Sequence, residues 1–261
     1  MNPADQWKQA GERVSRAAER SGRAPGTITI VAVTKTVPWD RVEPLLQAGA
    51  VHLGENRVQE AVGKYAAPDG TKRVGATLHL LGHLQTNKAK KATALFDMFQ
   101  SLDSVELARD LERHAADLNK TLDCLIEVKL SDEPTKSGLD PAALPELIAS
   151  LGALPHLRLR GLMGIPPLSA QGDLARPYFQ RLRRIFDDMR KGLGPDTPGQ
   201  GVNSSDMGFG ARDAVLSRPD AFTTLSMGMS SDFEIAIEEG ATMVRLGTLL
   251  FGARNPENPL R

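Results

Sequence analysis

Apolar and polar positions along this chain follow two rhythms. Short runs in which nearly every residue is aliphatic or β-branched alternate with longer stretches in which apolar residues recur every three or four positions. The first pattern predicts strands buried on both faces, the second amphipathic helices laid over them. Thr27-Ile28-Thr29-Ile30-Val31-Ala32-Val33 is the clearest strand. Shorter strands are expected at 51–53, 78–81, 97–100, 122–130, 157–163, 223–226 and 242–246. Helices are expected at 7–20, from Pro38 through Leu46, from Arg57, from Asn87, at 105–118 behind a Ser104 N-cap, and at 141–150, 174–193 and 232–239. Eight strands alternating with helices predict a parallel sheet that closes on itself, and about 250 residues is a usual length for such a barrel. The expected fold is therefore α/β: a single (β/α)8 TIM barrel over residues 1–261, opened by an extra N-terminal helix. Residues 194–219 break the rhythm with Gly, Ser, Asp and Pro, and predict a flexible loop within that domain.

Charge narrows the function. Lys plus Arg and Asp plus Glu are both 32, so the formal net charge is zero, and strong nonspecific attraction to nucleic acid or an anionic membrane is not expected. Basic clusters at 88–91 and 181–184 fall in helical patterns and read as solvated helix faces. Cys124 is the single cysteine, which excludes an intrachain disulfide or a thiolate metal cluster; its apolar run predicts a buried structural thiol. The N-terminus lacks an apolar signal core and no stretch approaches a membrane span, so a cytoplasmic protein is expected.

Functional residues of such barrels sit at the C-terminal ends of the strands. Lys35 follows the first strand, Glu55-Asn56 the second, His83 and Gln85 the third, Ser101 and Asp103 the fourth, and Lys129 ends the fifth. Lys35 reads either as a lysine snorkelling to solvent or as an amine whose charge a low-dielectric mouth suppresses, leaving it free to form a Schiff base. Ser226-Met227-Gly228-Met229-Ser230 and Gly247-Thr248 each open a helix after strands seven and eight. Glycines there can simply turn the chain, but backbone N–H groups beside hydroxyls at those two places favour a phosphate cradle. Arg245 is expected to point inward and to need an acceptor, either an acidic neighbour such as Glu55 or a ligand atom. His79 and His83 lack a carboxylate or cysteine at ligand spacing, which argues against a metal.

The segments Val31-Ala32-Val33-Thr34-Lys35, Gly54-Glu55-Asn56, His79-Leu80-Leu81-Gly82-His83-Leu84-Gln85-Thr86-Asn87-Lys88, Gly161-Leu162-Met163 and 225–254 resemble the pyridoxal phosphate homeostasis protein family, also called the proline synthase co-transcribed family. The resemblance implies a fold-type III barrel similar to the N-terminal domain of alanine racemases. It implies pyridoxal 5′-phosphate as cofactor, held as an internal aldimine on Lys35. Phosphate contacts would come from Ser226, Gly247 and Thr248 with backbone groups of Met227 and Gly228; Arg245 would face the pyridine nitrogen, and Asn56 would line the pocket. The implied role is balancing intracellular cofactor pools, with apo-enzymes as possible recipients and without robust catalysis. The alternative is a fold-type III enzyme, a slow racemase or decarboxylase. Racemases of this fold use a tyrosine on a second domain, whereas Tyr65 and Tyr178 here fall in predicted helices far from strand ends; racemisation is therefore not expected, and a monomer is. Gly164 stands where the family has a larger residue, which predicts a wider pocket floor. The 131–138 loop only partly matches the family's, and the 194–219 excursion is longer.

Overall fold

The computed structural model describes residues 2–70, 72, 74–131, 137–191 and 222–253; the 194–219 excursion and residues 132–136 of the partly matched loop lie outside them. The strands are β1 (Thr29–Val33), β2 (His52–Glu55), β3 (Thr77–Leu80), β4 (Met98–Leu102), β5 (Leu122–Glu127), β6 (Leu157–Met163), β7 (Thr224–Ser226) and β8 (Met243–Leu246). They pair in sequence order, all parallel, and β8 returns to β1 to close the barrel. This is the expected TIM barrel.

The helices are α1 (Pro3–Arg20), α2 (Trp39–Gln47), α3 (Val58–Tyr65), α4 (Ala89–Leu95), α5 (Val105–Asp117), α6 (Leu144–Leu151), α7 (Arg176–Lys191), α8 (Phe233–Glu238) and α9 (Thr248–Phe251). The opening helix starts earlier than its apolar face, because the Asn2 side chain accepts from the Ala4 N–H and Pro3 occupies the first turn. Ser104 caps α5 as expected, accepting from Leu107 N at 3.2 Å. The first strand is shorter than its apolar run, since Pro25–Thr27 form a 3-10 turn.

Alternation along each strand divides two layers. Leu53, Leu78, Leu80, Phe99 and Ile126 face the helices in the large outer core. Each such side chain contributes about 1.5–3 kcal/mol on burial, so the outer layer supplies most of the stabilisation. Val31, Met98, Leu125, Met163 and Met243 form a small separate interior cluster, and polar side chains fill much of the remaining interior. Between β5 and β6 the register shifts at Cys124/Leu125, and Gly161 lies opposite with φ +152°. A Cβ there would sit 1.8 Å from Thr224 O, so only glycine fits. Cys124 is buried and its thiol pKa is raised by burial, matching the structural reading. Among the described residues no helix is long and apolar enough to cross a membrane.

Candidate functional site

Lys35 lies in the turn that follows β1, between two clamped threonines. Alternation turns Thr34 to the helix side, where it is fully buried. Its Oγ1 donates to Glu55 Oε1 at 2.7 Å and accepts from Tyr65 Oη at 2.7 Å, and its carbonyl accepts from Lys64 Nζ at 2.7 Å. Lys64 also pairs with Glu55 at 2.9 Å and Glu60 at 3.1 Å. On the other side of the lysine, Thr36 N donates to Glu60 Oε1, and Thr36 is held at φ +62°. Burial raises the Glu55 carboxyl pKa while the Lys64 ammonium opposes that rise. The carboxylates and ammonium of β2 and α3 thus grip the backbone on both sides of Lys35 from behind.

In front of it lies a cavity of ≈ 300 Å³ whose lining includes Lys35, Arg41, Gly247, Thr248 and Phe251. The first turn of α9 faces this space. Gly247 N and Leu249 N both donate to Ser230 Oγ at 3.1 Å, so two amides converge on one oxygen. Backbone donors converging in this way are the chemistry an oxyanion needs. Gly228 has φ +93° and a Cβ on it would lie 2.5 Å from Ala236 Cβ; its carbonyl accepts from Arg245 N. Met227 is fully buried and its N–H donates to Met243 O at 3.1 Å, so that amide is already used by the barrel. Asn56 lines a different, polar cavity of ≈ 390 Å³ with Arg57, His83 and Gln85.

Ser226 and Arg245 meet inside the barrel. Arg245 Nη1 donates to Ser226 Oγ at 2.6 Å and Nη2 donates to Gly164 O at 3.0 Å. Ser226 Oγ donates to Gln100 Oε1 at 2.7 Å, Gln100 Nε2 lies 2.9 Å from His79 Nδ1, and His79 Nε2 lies 3.0 Å from His52 Nδ1. Burial pushes the Arg245 pKa down to about 10, against the attraction of Glu127 and Asp232, and leaves a cation at neutral pH. Burial pushes His79 down to about 3, so it is neutral. Glu127, at the mouth end of β5, is 5 % exposed; Ser137 Oγ donates to its Oε1, its Oε2 has no partner among the described residues, and burial raises its pKa.

Of the expected residues, then, Lys35, Gly247 and Thr248 share one cavity, Ser226 and Arg245 are bonded to each other, Gly228 abuts Arg245 through its carbonyl, and Asn56 stands apart. Three expectations are corrected. Glu55 pairs with Lys64 rather than Arg245, because it points to the outer layer and Arg245 to the interior. Tyr65 is not remote from the strand ends: it is buried, its hydroxyl reaches Thr34, and burial raises its pKa further. Gly164 does not widen the floor, since a Cβ there would meet Leu130 and Leu182 at 2.8 Å. Ser230 belongs to the segment read as a phosphate cradle, whereas Gln100 and Glu127 are additions that only the structure makes. Their signal was a polar side chain inside an apolar strand or at a strand end. Among the described residues no group of three or more His, Cys, Asp or Glu could hold a metal.

A closed parallel barrel with a lysine after β1 and convergent amides after β8 defines a class, and the family described as alanine racemase, N-terminal domain, matches residues 12–219. An alanine racemase of Clostridium difficile 630 is similar in fold alone, at a TM-score of 0.62 and 13% identity over 98% of this chain and 59% of that one. The chain belongs to the pyridoxal phosphate homeostasis protein family. The protein of that name from Aquifex aeolicus is 37% identical over 97% of this chain and 99% of its own length, and that of Escherichia coli K12 is 36% identical over 95% and 94%. The structure of PipY of Synechococcus elongatus with PLP bound matches at a TM-score of 0.72 and 35% identity, over 93% of this chain and 99% of that one.

Proposed function

We propose that this chain binds pyridoxal 5′-phosphate, holds it covalently through Lys35 Nζ, and serves intracellular homeostasis of that cofactor. The observation that carries the reading is the cavity lined by both Lys35 and Gly247-Thr248. The donor set fits a phosphorylated aldehyde: an amine for the carbonyl, the Gly247 and Leu249 amides, which a phosphate oxygen would take over from Ser230 Oγ, and the Arg245 cation for a ring nitrogen. When bound, the cofactor supplies an aldehyde and an electron-accepting ring. Gly247 and Thr248 orient the phosphate end, with Ser226, Met227 and Gly228 completing that wall. Arg245 disfavours a protonated ring nitrogen, which limits carbanion chemistry and favours a carrier over a catalyst. Asn56 is assigned to the pocket rim by family resemblance. The PLP-bound relative and the shared name support this reading over a racemase or decarboxylase. The same reading makes the protein a cytoplasmic monomer that passes its cofactor to apo-enzymes.

Native mass spectrometry before and after borohydride reduction tests the assignment. One pyridoxyl group per chain, fixed to Lys35 by reduction, is expected. A folded Lys35→Ala variant that keeps the full visible absorption band would overturn it.

A further inference from the structure

The hydrogen bonds inside the barrel run from rim to rim. Ser226 ends β7 and Arg245 lies near the end of β8, whereas His52 is the first residue of β2, at the opposite end of the barrel. Chemistry fixes their direction. A guanidinium has no acceptor, so Ser226 Oγ accepts from Arg245 and must spend its proton elsewhere. That proton goes to Gln100 Oε1, which turns the Gln100 amino group toward His79 Nδ1 and Met243 Sδ. His79 Nδ1 therefore accepts, the ring proton is on Nε2, and Nε2 donates to His52 Nδ1. Every donor points the same way, away from Arg245. Reversing any one link leaves two donors or two acceptors facing each other in a water-poor interior.

We propose that Gln100 and His79 are positioning residues whose one-way chain of hydrogen bonds, passed on through Ser226, fixes the Arg245 guanidinium toward the bound cofactor. The proposal rests on the reading that pyridoxal phosphate sits beside Arg245. Gln100 and His79 need not touch the cofactor; they act by keeping the Ser226 lone pairs, and not its proton, directed at Arg245. Full burial of His79 and Gln100 excludes the competing waters that would let Ser226 rotate.

Two measurements test it. In protein stripped of cofactor, long-range ¹H–¹⁵N correlation should show His79 as the neutral Nε2–H tautomer at neutral pH, and Ser226→Ala should perturb the His79 nitrogens across Gln100. An Nδ1–H tautomer, or a protonated ring, overturns the chain whatever the cofactor does. With pyridoxal phosphate added, His79→Leu and Gln100→Leu should each weaken binding about tenfold and shift the visible band. His79→Gln, which can accept from Gln100 and donate to His52, should restore both. Unchanged affinity and band in folded Gln100→Leu overturns the positioning role. Should His79→Leu not fold, the near-isosteric Gln100→Met replaces it at lower steric risk with the same expected shift. Wild-type protein that binds no pyridoxal phosphate would sink the functional reading alone, because the tautomer result stands without the cofactor.

Discussion

The barrel carries two polar networks that steady neighbouring functional residues by opposite means. Behind Lys35, the Glu55–Lys64–Glu60 cluster is ionic, lies between sheet and helix, and grips main-chain atoms of Thr34 and Thr36. Inside the barrel, the Ser226–Gln100–His79–His52 chain is neutral, directional, and grips a side chain, Arg245. Ionic grips are strong but costly to desolvate, and they fail badly when one partner is lost. Neutral relays are individually weak, and what they specify is orientation. The outer network should therefore be read out as stability and the inner one as a property of the bound cofactor.

The sharpest way to break this contrast is Lys64→Met. Removing the ammonium leaves the fully buried Glu55 without its ion-pair partner, and a loss of about 3–5 kcal/mol is expected in denaturant unfolding. A loss below about 1 kcal/mol would mean the cluster is not ionic in solution. Next comes acid sensitivity. The folded pKa of His79 is lowered to about 3, so between that value and about 6.5 the unfolded chain binds a proton that the folded one refuses. Stability from this group is present above about 6.5 and lost as pH falls, with a slope of about 1.4 kcal/mol per pH unit. The raised pKa values of Glu55, Glu127 and Asp232 act with the opposite sign, so the test is the difference between wild type and His79→Gln, in which they cancel. Wild type should lose stability more steeply; parallel curves would show that His79 is not buried neutral. Tyr65→Phe removes one buried donor to Thr34 and should cost about 1 kcal/mol, read from the urea midpoint, with the cofactor band unchanged. The last comparison is Glu55→Leu combined with Lys64→Met. Replacing the pair together removes the unpaired buried charge but also the partners of the Thr34 carbonyl and hydroxyl, so it should destabilise less than Lys64→Met alone, and a loss as large as the single variant's would show that the stranded Glu55 charge is not the source of that loss.

The barrel itself was legible because strands such as β1 and β5 hold no exposed residue and read as dense apolar runs, while β6, with Arg158 exposed, still alternates leucine with arginine. Only the ends shifted, where caps such as Asn2 or 3-10 turns such as Pro25–Thr27 move an element boundary without moving the apolar residues. Lys35, Gly247 and Thr248 could be read as neighbours because strand ends in a closed barrel converge on one rim. The partners of Arg245 could not. Glu55 follows a strand end just as Ser226 does, and which face each takes depends on a register that one residue of boundary error inverts. Gln100 was passed over for the same reason: within Met98-Phe99-Gln100 only the fold shows that Met98 and Gln100 look inward while Phe99 looks out. Tyr65 was misjudged because distance along the sequence from the strand says nothing of how α3 folds back over it.

Thr36 carries a consequence beyond its contacts. A β-branched residue at φ +62° sits in a region that costs an L-residue about 1–2 kcal/mol, and that energy is stored in the peptide unit next to the reactive amine. A loaded spring of this kind relaxes only when its catch lets go, here the hold of Glu60 on the Thr36 N–H. Loss of the Glu60 carboxylate should therefore let the turn beside Lys35 relax and give back that energy, at the expense of the position in which the amine is held.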